Sequence, residues 1–457
     1  MLSYSAVPKK NLKSAAYRSV NGNIVIVNLR NRTINILNSV ASRIWELVDG
    51  IRTNENIIKK IYQEFDVGVL KAKKDYMIFL SDMKKNNLIS SPDKIMDARK
   101  ISTESLGKTS ENIFGKLREL VAKNKIPLMG HLDLTYKCNL NCKHCYLSPE
   151  KKEELSTSEV KNILDQIAKA GTLCLTLSGG EIFTREDIFE IISYTRKLNF
   201  AVRLLTNGTL LDKDKIELIS SFSPEMVAIS IYSSNPKIHD EITGMPGSFF
   251  KSFSAAKLLR EKGVNVKIST VIMKQNVNDY ASIAVLAKNI GAQFQADYRI
   301  SPKTNGDKSP LKFYINDREL RRTFLDPVLQ KRDDSLETDI SLEEDYQGIF
   351  NIVPCGAGHM SFYVSPYGDV YPCVQLPIRC GNLKKESFSD VWNNSDQMLS
   401  IRSIRIIDLP KCSDCKFFQY CRLCIGLNYV EEGDIFVPSK RTCKEARLRK
   451  ELGQKRR

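Results

Sequence analysis

The N-terminal part of the chain shows two patterns of apolar and polar residues, one typical of strands and one typical of helices. Residues 23–29 and 32–37 are rich in isoleucine and valine, and the polar pair Arg30 and Asn31 separates them. Two such runs around a short polar break predict a β-hairpin. Further on, apolar residues recur at every third or fourth position, which is typical of helices packed on a core. Three helices are predicted in this way, over 39–48, from the capping residue Thr53 onward and through 76–83.

A second pattern, in which strands and helices alternate, begins at residue 131. Its six candidate strands lie at 131–136, 173–178, 201–206, 226–232, 265–271 and 293–299. Ser156 and Glu159 match a capping box at the start of the first helix between them, and Gly171 ends that helix. Strand–helix units in series imply parallel strands, so we predict an α/β fold built on an open, partial (β/α)6 barrel of TIM type. In such barrels the chemistry lies at the carboxyl ends of the strands.

The chain has 457 residues, enough for about three domains. The predicted hairpin and helices form an N-terminal domain of winged-helix type, and cysteines near the C-terminus form a separate domain. The predicted boundaries are 1–91 for the N-terminal domain, 92–127 for a linker with one helix over 112–124, 128–305 for the barrel, 306–445 for the cysteine-rich domain and 446–457 for a basic tail.

Composition excludes several classes of protein. A hydrophobic fraction of 42% supports packed cores and excludes wholesale disorder. No apolar run approaches the roughly 18 residues that span a bilayer, and the N-terminus has no apolar signal core, so a cytoplasmic protein without a membrane span is expected. In that reducing compartment, clusters among the twelve cysteines indicate metal binding rather than disulfides.

The net charge of +16 is compatible with two kinds of acidic partner. Nucleic acid is one, but much of the excess lies in the tail from Lys440 to Arg457 and on scattered lysine-rich helix faces, which are usually solvated. An acidic peptide is at least as compatible with this positive charge.

Three cysteines directly after the first barrel strand carry the strongest chemical signal. Cys138, Cys142 and Cys145 have the spacing C-x3-C-x2-C, which can present three thiolates to three irons of a cubane iron–sulfur cluster. No fourth cysteine lies nearby in the sequence, so one iron would stay open to an exchangeable ligand. A structural zinc site is the alternative that this spacing leaves open.

A second motif ends the next strand. Residues 178–182 read Ser-Gly-Gly-Glu-Ile, where two glycines permit close approach of the backbone and Glu181 adds a carboxylate. The cysteine triad followed one strand later by Gly-Gly-Glu resembles the radical S-adenosylmethionine (radical SAM) superfamily over residues 130–300. The resemblance implies that the triad binds a [4Fe-4S] cluster and that the methionine part of S-adenosylmethionine chelates the open iron. It also implies that Gly179, Gly180 and Glu181 hold the amino group of that methionine.

The same resemblance assigns contacts to the nucleoside. His144, at the aromatic position before the last cysteine of the triad, is expected to lie against adenine, and Ser230 matches a ribose-contacting position. Met273 matches an adenine-side position, although a core methionine is an equal alternative. Cys174, between leucines in the second strand, is interpreted as a small buried hydrophobic residue.

The C-terminal cysteines resemble the SPASM extension of radical SAM peptide maturases, which binds two auxiliary [4Fe-4S] clusters. The ligands implied for the distal cluster are Cys412, Cys415, Cys421 and Cys443, and those for the nearer cluster are Cys355, Cys373 and Cys424. The fourth ligand of the nearer cluster is either Cys380 or an exchangeable group such as a substrate thiolate. Two residues, rather than the family's three, separate Cys421 from Cys424. A zinc ribbon would explain only the central cysteines of this set.

The N-terminal domain resembles the peptide-recognition domain known from pyrroloquinoline quinone biosynthesis, in its order of elements and in the phrase Ile-Trp-Glu-Leu-Val-Asp-Gly at 44–50. Such domains take a leader peptide as an added strand on the hairpin edge, so residues 12–91 are expected to bind the leader. A DNA-binding winged helix is the alternative; its groove-facing helix would carry Lys59 and Lys60 but no dense arginine cluster.

The phrases at 178–183, 355–358 and 371–377 resemble sactisynthase-like maturases, which form cysteine thioether crosslinks in ribosomally synthesised precursor peptides. This implies an enzyme that generates a 5′-deoxyadenosyl radical and takes electrons from an external one-electron donor such as flavodoxin or ferredoxin. Carbon–carbon crosslinking and epimerisation are alternatives on the same machinery. A small-molecule role, as in haem-derivative synthesis, and an iron–sulfur sensor that binds DNA also stay open.

Overall fold

The computed structural model describes residues 3–90, 121, 124–330 and 352–453 of the chain. Most of the predicted linker with its helix over 112–124, residues 331–351 and the last residues of the basic tail lie outside this set. None of the helices in the described ranges is both long and apolar enough to cross a membrane.

The described residues form fourteen β-strands and sixteen α-helices. The strands are β1 (Lys9–Lys10), β2 (Ala15–Val20), β3 (Asn23–Asn28), β4 (Ile34–Ile36), β5 (Ile89–Ser90), β6 (Met129–Thr135), β7 (Cys174–Gly179), β8 (Ala201–Thr206), β9 (Met226–Ser230), β10 (Val266–Val271), β11 (Gln293–Asp297), β12 (Ser361–Val364), β13 (Asp369–Tyr371) and β14 (Gly381–Asn382). The helices are α1 (Ser39–Leu47), α2 (Asn54–Glu64), α3 (Val69–Lys85), α4 (Thr157–Lys169), α5 (Ile188–Lys197), α6 (Lys213–Phe222), α7 (Pro236–Thr243), α8 (Ser248–Glu261), α9 (Tyr280–Asn289), α10 (Asp317–Leu325), α11 (Pro327–Gln330), α12 (Phe388–Asn394), α13 (Asp396–Ser403), α14 (Pro410–Ser413), α15 (Ile425–Glu432) and α16 (Lys440–Glu451).

The N-terminal domain is a three-stranded antiparallel sheet, β2–β3–β4, with α1, α2 and α3 packed on one face. The predicted hairpin is present as β3 and β4, and its register pairs Ile26 with Asn35. Thr53 caps α2 as predicted, and Trp45 and Tyr76 are among the fully buried side chains of the core. The sequence pattern does not predict β2, because Ala-Ala-Tyr-Arg-Ser-Val lacks the alternation of a strand.

One nine-stranded sheet forms the centre of the described structure, in the order β11-β10-β9-β8-β7-β6-β12-β13-β14. β6 to β11 are parallel, which confirms the predicted partial (β/α)6 barrel. Along β6, Leu132 and Leu134 belong to the core under the surrounding helices, whereas His131 and Asp133 lie on the opposite, inner face. β12, from the cysteine-rich part of the chain, adds to this sheet in parallel beside β6. The C-terminal part is therefore continuous with the barrel.

The N-terminal domain packs against the floor of the barrel, where the strands begin. The face of its sheet that points away from the three helices contributes Ala16, Val25 and Val27 to an apolar cluster with Leu173 and Ala201 of the barrel. Removal of the domain would expose this cluster to water, at a cost of roughly 25 cal/mol per Å² of apolar surface. The two domains are therefore one packed unit.

A buried ion-pair network crosses the same contact. Arg32 adopts a left-handed φ of 62° between β3 and β4 and donates from Nε to Glu225 Oε1 at 2.9 Å. Arg203, inside the barrel, donates to the other carboxylate oxygen, Oε2. Asn265 Nδ2 donates to the main-chain oxygens of Leu29, at 2.9 Å, and Glu225, at 3.2 Å. Burial alone would raise the pKa of Glu225, but Arg203 and then Arg32 lower it below its ordinary value.

We expect Glu225→Gln to lower the free energy of unfolding by about 3–5 kcal/mol, because it removes the carboxylate that two buried arginines share. Urea denaturation followed by circular dichroism measures this change. Since the folded-state pKa of Glu225 is lowered, the advantage of the wild type is present above the ordinary pKa of glutamate and is lost as the pH falls below it.

Glu217→Gln is the matched control, since Glu217 pairs with Lys262 on the exposed surface. Its effect on the free energy of unfolding should stay within about 0.5 kcal/mol. Equal effects of the two substitutions would contradict a stabilising role for the buried network.

Candidate active site

The cysteine triad lies in the loop that leaves the carboxyl end of β6. Cys138 is exposed, and Cys142 and Cys145 are half-buried. The main-chain N–H groups of Asn141 and Lys143 donate to carbonyl oxygens at the end of α7, at 2.9 and 3.0 Å, and so fix the loop. The triad is therefore placed at the end of the barrel where parallel strands of this kind carry their chemistry.

The three thiols lie close enough to influence one another's ionisation. The pKa of Cys142 is raised to about 12, first by burial and then by Cys145 and Cys138, while a hydrogen bond with Tyr232 opposes the rise. Metal binding needs thiolates, so iron must displace these protons when a cluster is assembled. Within the described ranges, no three side chains of cysteine, histidine, aspartate or glutamate converge as ligands of a single ion. A cubane cluster does not require the thiolates to converge on one ion, because each thiolate binds a different iron.

The Gly-Gly-Glu segment is pressed against this loop. Gly179 has a φ of 138°, and a Cβ atom there would lie 2.1 Å from Thr135 O. At Gly180 a Cβ atom would lie 2.4 Å from Lys137 O. Gly180 N donates to Thr135 O at 2.8 Å, and Glu181 N donates to Lys137 O at 2.9 Å. The two glycines therefore permit this close approach of the backbone of the cysteine loop. The contact of Gly179 and Gly180 with the amino group of S-adenosylmethionine stays a prediction.

Glu181 is held rigidly beside the triad. Its buried carboxylate accepts hydrogen bonds from Thr206 Oγ1 at 2.7 Å and from the main-chain N–H of Asn207 at 2.6 Å. Burial raises the pKa of Glu181, and these hydrogen bonds oppose that rise. The contact of this carboxylate with the amino group of S-adenosylmethionine stays a prediction, and the fold supplies its fixed orientation.

Asn207 is a residue of the site that the sequence pattern does not single out. Its Nδ2 donates to Asn139 Oδ1 at 2.9 Å, and its side chain opposes the rise that burial causes in the pKa of Cys138. Asn207 thereby joins the Glu181 carboxylate to the cysteine loop. Its place in the chain was a usable signal, because it directly follows β8 at the same sheet edge as the triad.

The predicted nucleoside contacts lie near the triad. The rings of His144 and Tyr232 have centroids 4.6 Å apart, and the buried His144 Nδ1 has no hydrogen-bond partner in the described protein. Burial lowers the pKa of His144 to about 4, so its ring is neutral near pH 7. Ser230 ends β9 and lines a polar cavity of about 200 Å³ inside the barrel. Met273 is buried in an apolar cluster that Cys142 also contacts, so core packing and a ligand contact both remain compatible with it.

Cys355, Cys373 and Cys424, the predicted ligands of the nearer auxiliary cluster, are brought together. Burial, and after it the nearby thiol of Cys424 among other causes, raises the pKa of Cys355 to about 12 and that of Cys373 to about 11. Residues far apart in the sequence thus form one half-buried group of thiols. Their role as cluster ligands stays a prediction.

A second group contains the predicted ligands of the distal cluster. The pKa of Cys412 is raised to about 11, first by burial and then by the neighbouring thiols of Cys443 and Cys415. Cys421 follows the short 3-10 turn Phe418–Tyr420 in the same segment. The helix that carries Cys443, α16, is thus folded back onto the segment that carries the other three.

Cys380 and Cys174 lie in apolar surroundings. Cys380 belongs to the main core with Phe388 and Trp392, and its Sγ donates to Ile378 O at 3.5 Å. Its role as the fourth ligand of the nearer cluster stays a prediction. Cys174 is buried between the N-terminal sheet and the barrel, which confirms its interpretation as a small hydrophobic residue.

A cavity of about 220 Å³ lies between the cysteine loop and the C-terminal part of the sheet. Its wall includes Tyr136, Tyr363, Tyr367, Tyr371 and Cys373. The sequence pattern does not predict this cavity, because Tyr136 is far in the sequence from Tyr363, Tyr367 and Tyr371, and the pairing of β6 with β12 brings them together. The cavity reaches from Tyr136 and Ser148, which flank the triad in the sequence, to Cys373.

Comparison with known families gives three matches along the chain. The Radical SAM superfamily matches residues 132–287, the SPASM iron–sulfur cluster-binding domain matches 355–416, and coenzyme PQQ synthesis protein D (PqqD) matches 23–89. These matches imply a [4Fe-4S] cluster that binds with S-adenosylmethionine, and auxiliary iron–sulfur clusters. The residues present fit such groups, because three thiols come from one loop and the buried His144 Nδ1 has no protein partner.

Individual proteins resemble the chain over most of its length. The AdoMet-dependent heme synthase of Methanosarcina barkeri is 30% identical over 69% of this chain and 96% of its own. The antilisterial bacteriocin subtilosin biosynthesis protein AlbA of Bacillus subtilis is 27% identical over 86% of this chain and 85% of its own. SuiB of Streptococcus suis, solved with S-adenosylmethionine, shares the fold with a TM-score of 0.62 at 18% identity, over 95% of this chain and 100% of its own. The chain therefore belongs to the radical SAM enzymes that carry a SPASM iron–sulfur domain, and it has a PqqD-type domain at its N-terminus.

Proposed function

We propose that the protein forms a thioether crosslink, from a cysteine sulfur to a carbon, in a ribosomally synthesised precursor peptide. The observation that carries this proposal is the open edge of β4 in a PqqD-type domain that is packed onto the barrel. The sulfur-to-carbon bond is supported by the phrases at 178–183, 355–358 and 371–377, which resemble thioether-forming maturases. The match to a bacteriocin biosynthesis protein, which covers 86% of this chain, supports a peptide substrate.

β4 is an edge at which a peptide strand can add. Within the described residues β4 pairs with β3 alone. Leu37 N donates to Ile24 O, so the N–H groups of Ile34 and Ile36 point away from β3, toward the open side. A peptide strand added there would gain main-chain hydrogen bonds, as in other cases of strand addition.

The opposite edge, β2, is covered by the barrel. Tyr17 O accepts a hydrogen bond from Asn199 Nδ2 at 3.3 Å, and Arg18 donates to Leu198 O at 2.7 Å. A leader would therefore dock on the β4 side of the barrel floor, whereas the triad lies at the other end of the strands. The six residues of β8 span roughly 20 Å, so the substrate must be long enough to bridge that distance. A peptide meets this requirement.

The residues of the chain position the reactants. When bound, the cluster and S-adenosylmethionine supply a 5′-deoxyadenosyl radical, which removes a hydrogen atom from the substrate. Glu181 presents a fixed carboxylate on one side, and the neutral His144 and Ser230 lie on the nucleoside side. The cavity that Tyr136 and Cys373 border offers space for the modified residue among its tyrosine rings. An external one-electron donor such as flavodoxin or ferredoxin supplies the electrons.

A reaction on a small molecule in haem synthesis is the second candidate, because the haem synthase of M. barkeri is 30% identical to this chain. Carbon–carbon crosslinking and epimerisation of a peptide use the same parts as thioether formation. The two classes differ in one respect that can be tested: only the peptide reactions need a docked leader. The iron–sulfur DNA-binding sensor is set aside, since the chain belongs to an enzyme family.

Co-expression with a cysteine-containing precursor peptide should yield a peptide that is lighter by two hydrogens for each crosslink. Its cysteine should also resist alkylation, because the sulfur is bonded to carbon. Tandem mass spectrometry after treatment with iodoacetamide measures both properties. Cys142→Ala, which removes a predicted cluster ligand, is the control and should leave the peptide unchanged.

The other outcomes of this experiment separate the alternatives. A carbon–carbon crosslink gives the same loss of mass with a thiol that still reacts, and epimerisation leaves the mass unchanged while it alters the stereochemistry. Conversion of a haem precursor without any peptide would contradict the proposal and support the second candidate.

Ile36→Pro should weaken binding of the precursor peptide by roughly tenfold, which corresponds to the loss of about one backbone hydrogen bond. Proline removes an N–H group on the open side of β4 and leaves the hydrogen bonds to β3 in place. Fluorescence anisotropy with a labelled precursor peptide measures the Kd. A point substitution is preferable to deletion of residues 1–91, which would expose the apolar floor of the barrel.

Ser19→Pro is the matched control. Ser19 is exposed on β2, and the β2–β3 register turns its N–H group away from β3, toward the edge that faces the barrel. Its Kd for the peptide should equal that of the wild type. Equal weakening by both prolines, or by neither, would contradict leader docking at β4.

A further inference from the structure

Two cavities of the described structure are joined by a chain of hydrogen bonds. Tyr363 borders the tyrosine-lined cavity beside Cys373, and His131 borders the polar cavity inside the barrel. Tyr363 Oη donates to Asp133 Oδ2 at 2.8 Å, and Asp133 Oδ1 lies 3.0 Å from His131 Nε2. Tyr136 Oη lies 2.6 Å from Tyr363 Oη and forms a branch at the cavity end.

The central sheet creates this arrangement. β12 pairs in parallel with β6, so Tyr363 stands beside His131 in the register, with ring centroids 5.5 Å apart. His131 and Asp133 are two residues apart on β6 and share its inner face. Asp133 is fully buried, and a buried carboxylate is costly unless its partners compensate it. A purely structural contact between β12 and β6 would not require a buried carboxylate. Nor would it require a chain of hydrogen bonds that reaches a cavity at each end.

The thioether reaction proposed above needs a proton acceptor. Forming a sulfur–carbon bond from an S–H group and a C–H group releases two hydrogens. The first leaves the carbon as an atom and ends in 5′-deoxyadenosine. The second leaves the sulfur as a proton, and the remaining electron would reduce an oxidised auxiliary iron–sulfur cluster held by the C-terminal cysteines. In a cavity that lies beside Cys373, this proton must be carried away through the protein or to water.

We propose that Tyr363 accepts the proton of the substrate thiol and passes its own proton to Asp133, so that the proton leaves the cavity beside Cys373 toward the barrel interior. The inference rests on the proposed function. In this step the S–H bond of the substrate breaks, a new O–H bond forms at Tyr363, and the former phenol proton forms an O–H bond at Asp133. His131, with the ring's own proton on Nδ1, then takes the proton from Asp133 at Nε2 and can release the Nδ1 proton into the second cavity.

The surroundings of Tyr363 suit a relay rather than an ionised base. Burial, and then the charge of Asp133, raise the pKa of Tyr363 far above its usual range, so the phenol stays protonated while it exchanges protons. Tyr363 is the catalytic residue of this step, because it touches the substrate. Asp133 and His131 do not contact the substrate and receive its proton only through Tyr363.

The test is the ratio of crosslinked peptide to 5′-deoxyadenosine formed by the holoenzyme with precursor peptide, S-adenosylmethionine and dithionite. Tyr363→Phe should lower this ratio roughly 100-fold, the effect expected for loss of one proton-transfer group, and leave 5′-deoxyadenosine formation within about twofold. Asp133→Asn should lower it in the same way. Hydrogen abstraction continues in both variants, but the substrate radical is not oxidised to product.

Tyr194→Phe is the matched control, since Tyr194 Oη also donates to a carboxylate, that of Asp165 at 2.9 Å, but on the outer helices α4 and α5. Its product ratio should equal that of the wild type. Iron content and the electron paramagnetic resonance spectrum of each variant show whether its clusters are intact. The urea midpoints of Tyr363→Phe, Asp133→Asn and the double variant test the Tyr363–Asp133 contact without an activity assay. If the two residues interact, the shift in the double variant differs from the sum of the two single shifts.

Three outcomes are distinguishable. A lowered ratio in both variants, with intact clusters, supports the relay. A wild-type ratio in both variants, while the wild type still crosslinks the peptide, overturns the relay and leaves the proposed function in place. A wild type that produces 5′-deoxyadenosine but never alters the peptide overturns the proposed function, and the relay falls with it.

Discussion

The close approach of two backbone segments at the carboxyl ends of β6 and β7 governs the whole site. Gly179 and Gly180 let the end of β7 lie so near the cysteine loop that a Cβ atom at either position would collide with Thr135 O or Lys137 O. Main-chain hydrogen bonds then lock the two segments together. Because of this contact, the triad and the carboxylate of Glu181 have a fixed relation to each other before any ligand binds. A more flexible loop would lose conformational entropy each time a ligand bound, which would weaken binding.

The central sheet extends this order in two directions. At its floor, the N-terminal domain is joined to the barrel by an apolar cluster and by the network around Glu225, so a leader docked on β4 would have a defined position relative to the strands. On its other side, β12 brings the C-terminal cysteines into the same frame, with Tyr363 beside His131. Recognition, radical chemistry and the auxiliary clusters would thus be held by one continuous framework.

Local patterns in the sequence are sufficient for much of this architecture. The hairpin of β3 and β4, the six parallel strands and the loop with Cys138 all follow from periodicity, turn residues and spacing. Long-range pairing is different. No local sequence pattern predicts that Ser361–Val364 pairs in parallel with β6. The register of this pair depends on which hydrophobic faces meet after the domains pack. For the same reason the partners of Asp133 and the linking role of Asn207 emerge only from the fold. β2 becomes a strand because β3 and the barrel enclose it, although its own sequence has little preference for that state.

The central claim is that the loop of Cys138, Cys142 and Cys145 holds a cubane whose remaining iron is coordinated by S-adenosylmethionine. Electron paramagnetic resonance of the anaerobic, reduced protein, recorded before and after addition of S-adenosylmethionine, tests this claim most directly. The account predicts that the spectrum of one cluster changes its g-values on addition, while the spectra of the auxiliary clusters do not. An unchanged spectrum from a protein with a full complement of iron, or a protein that binds only zinc, would contradict it.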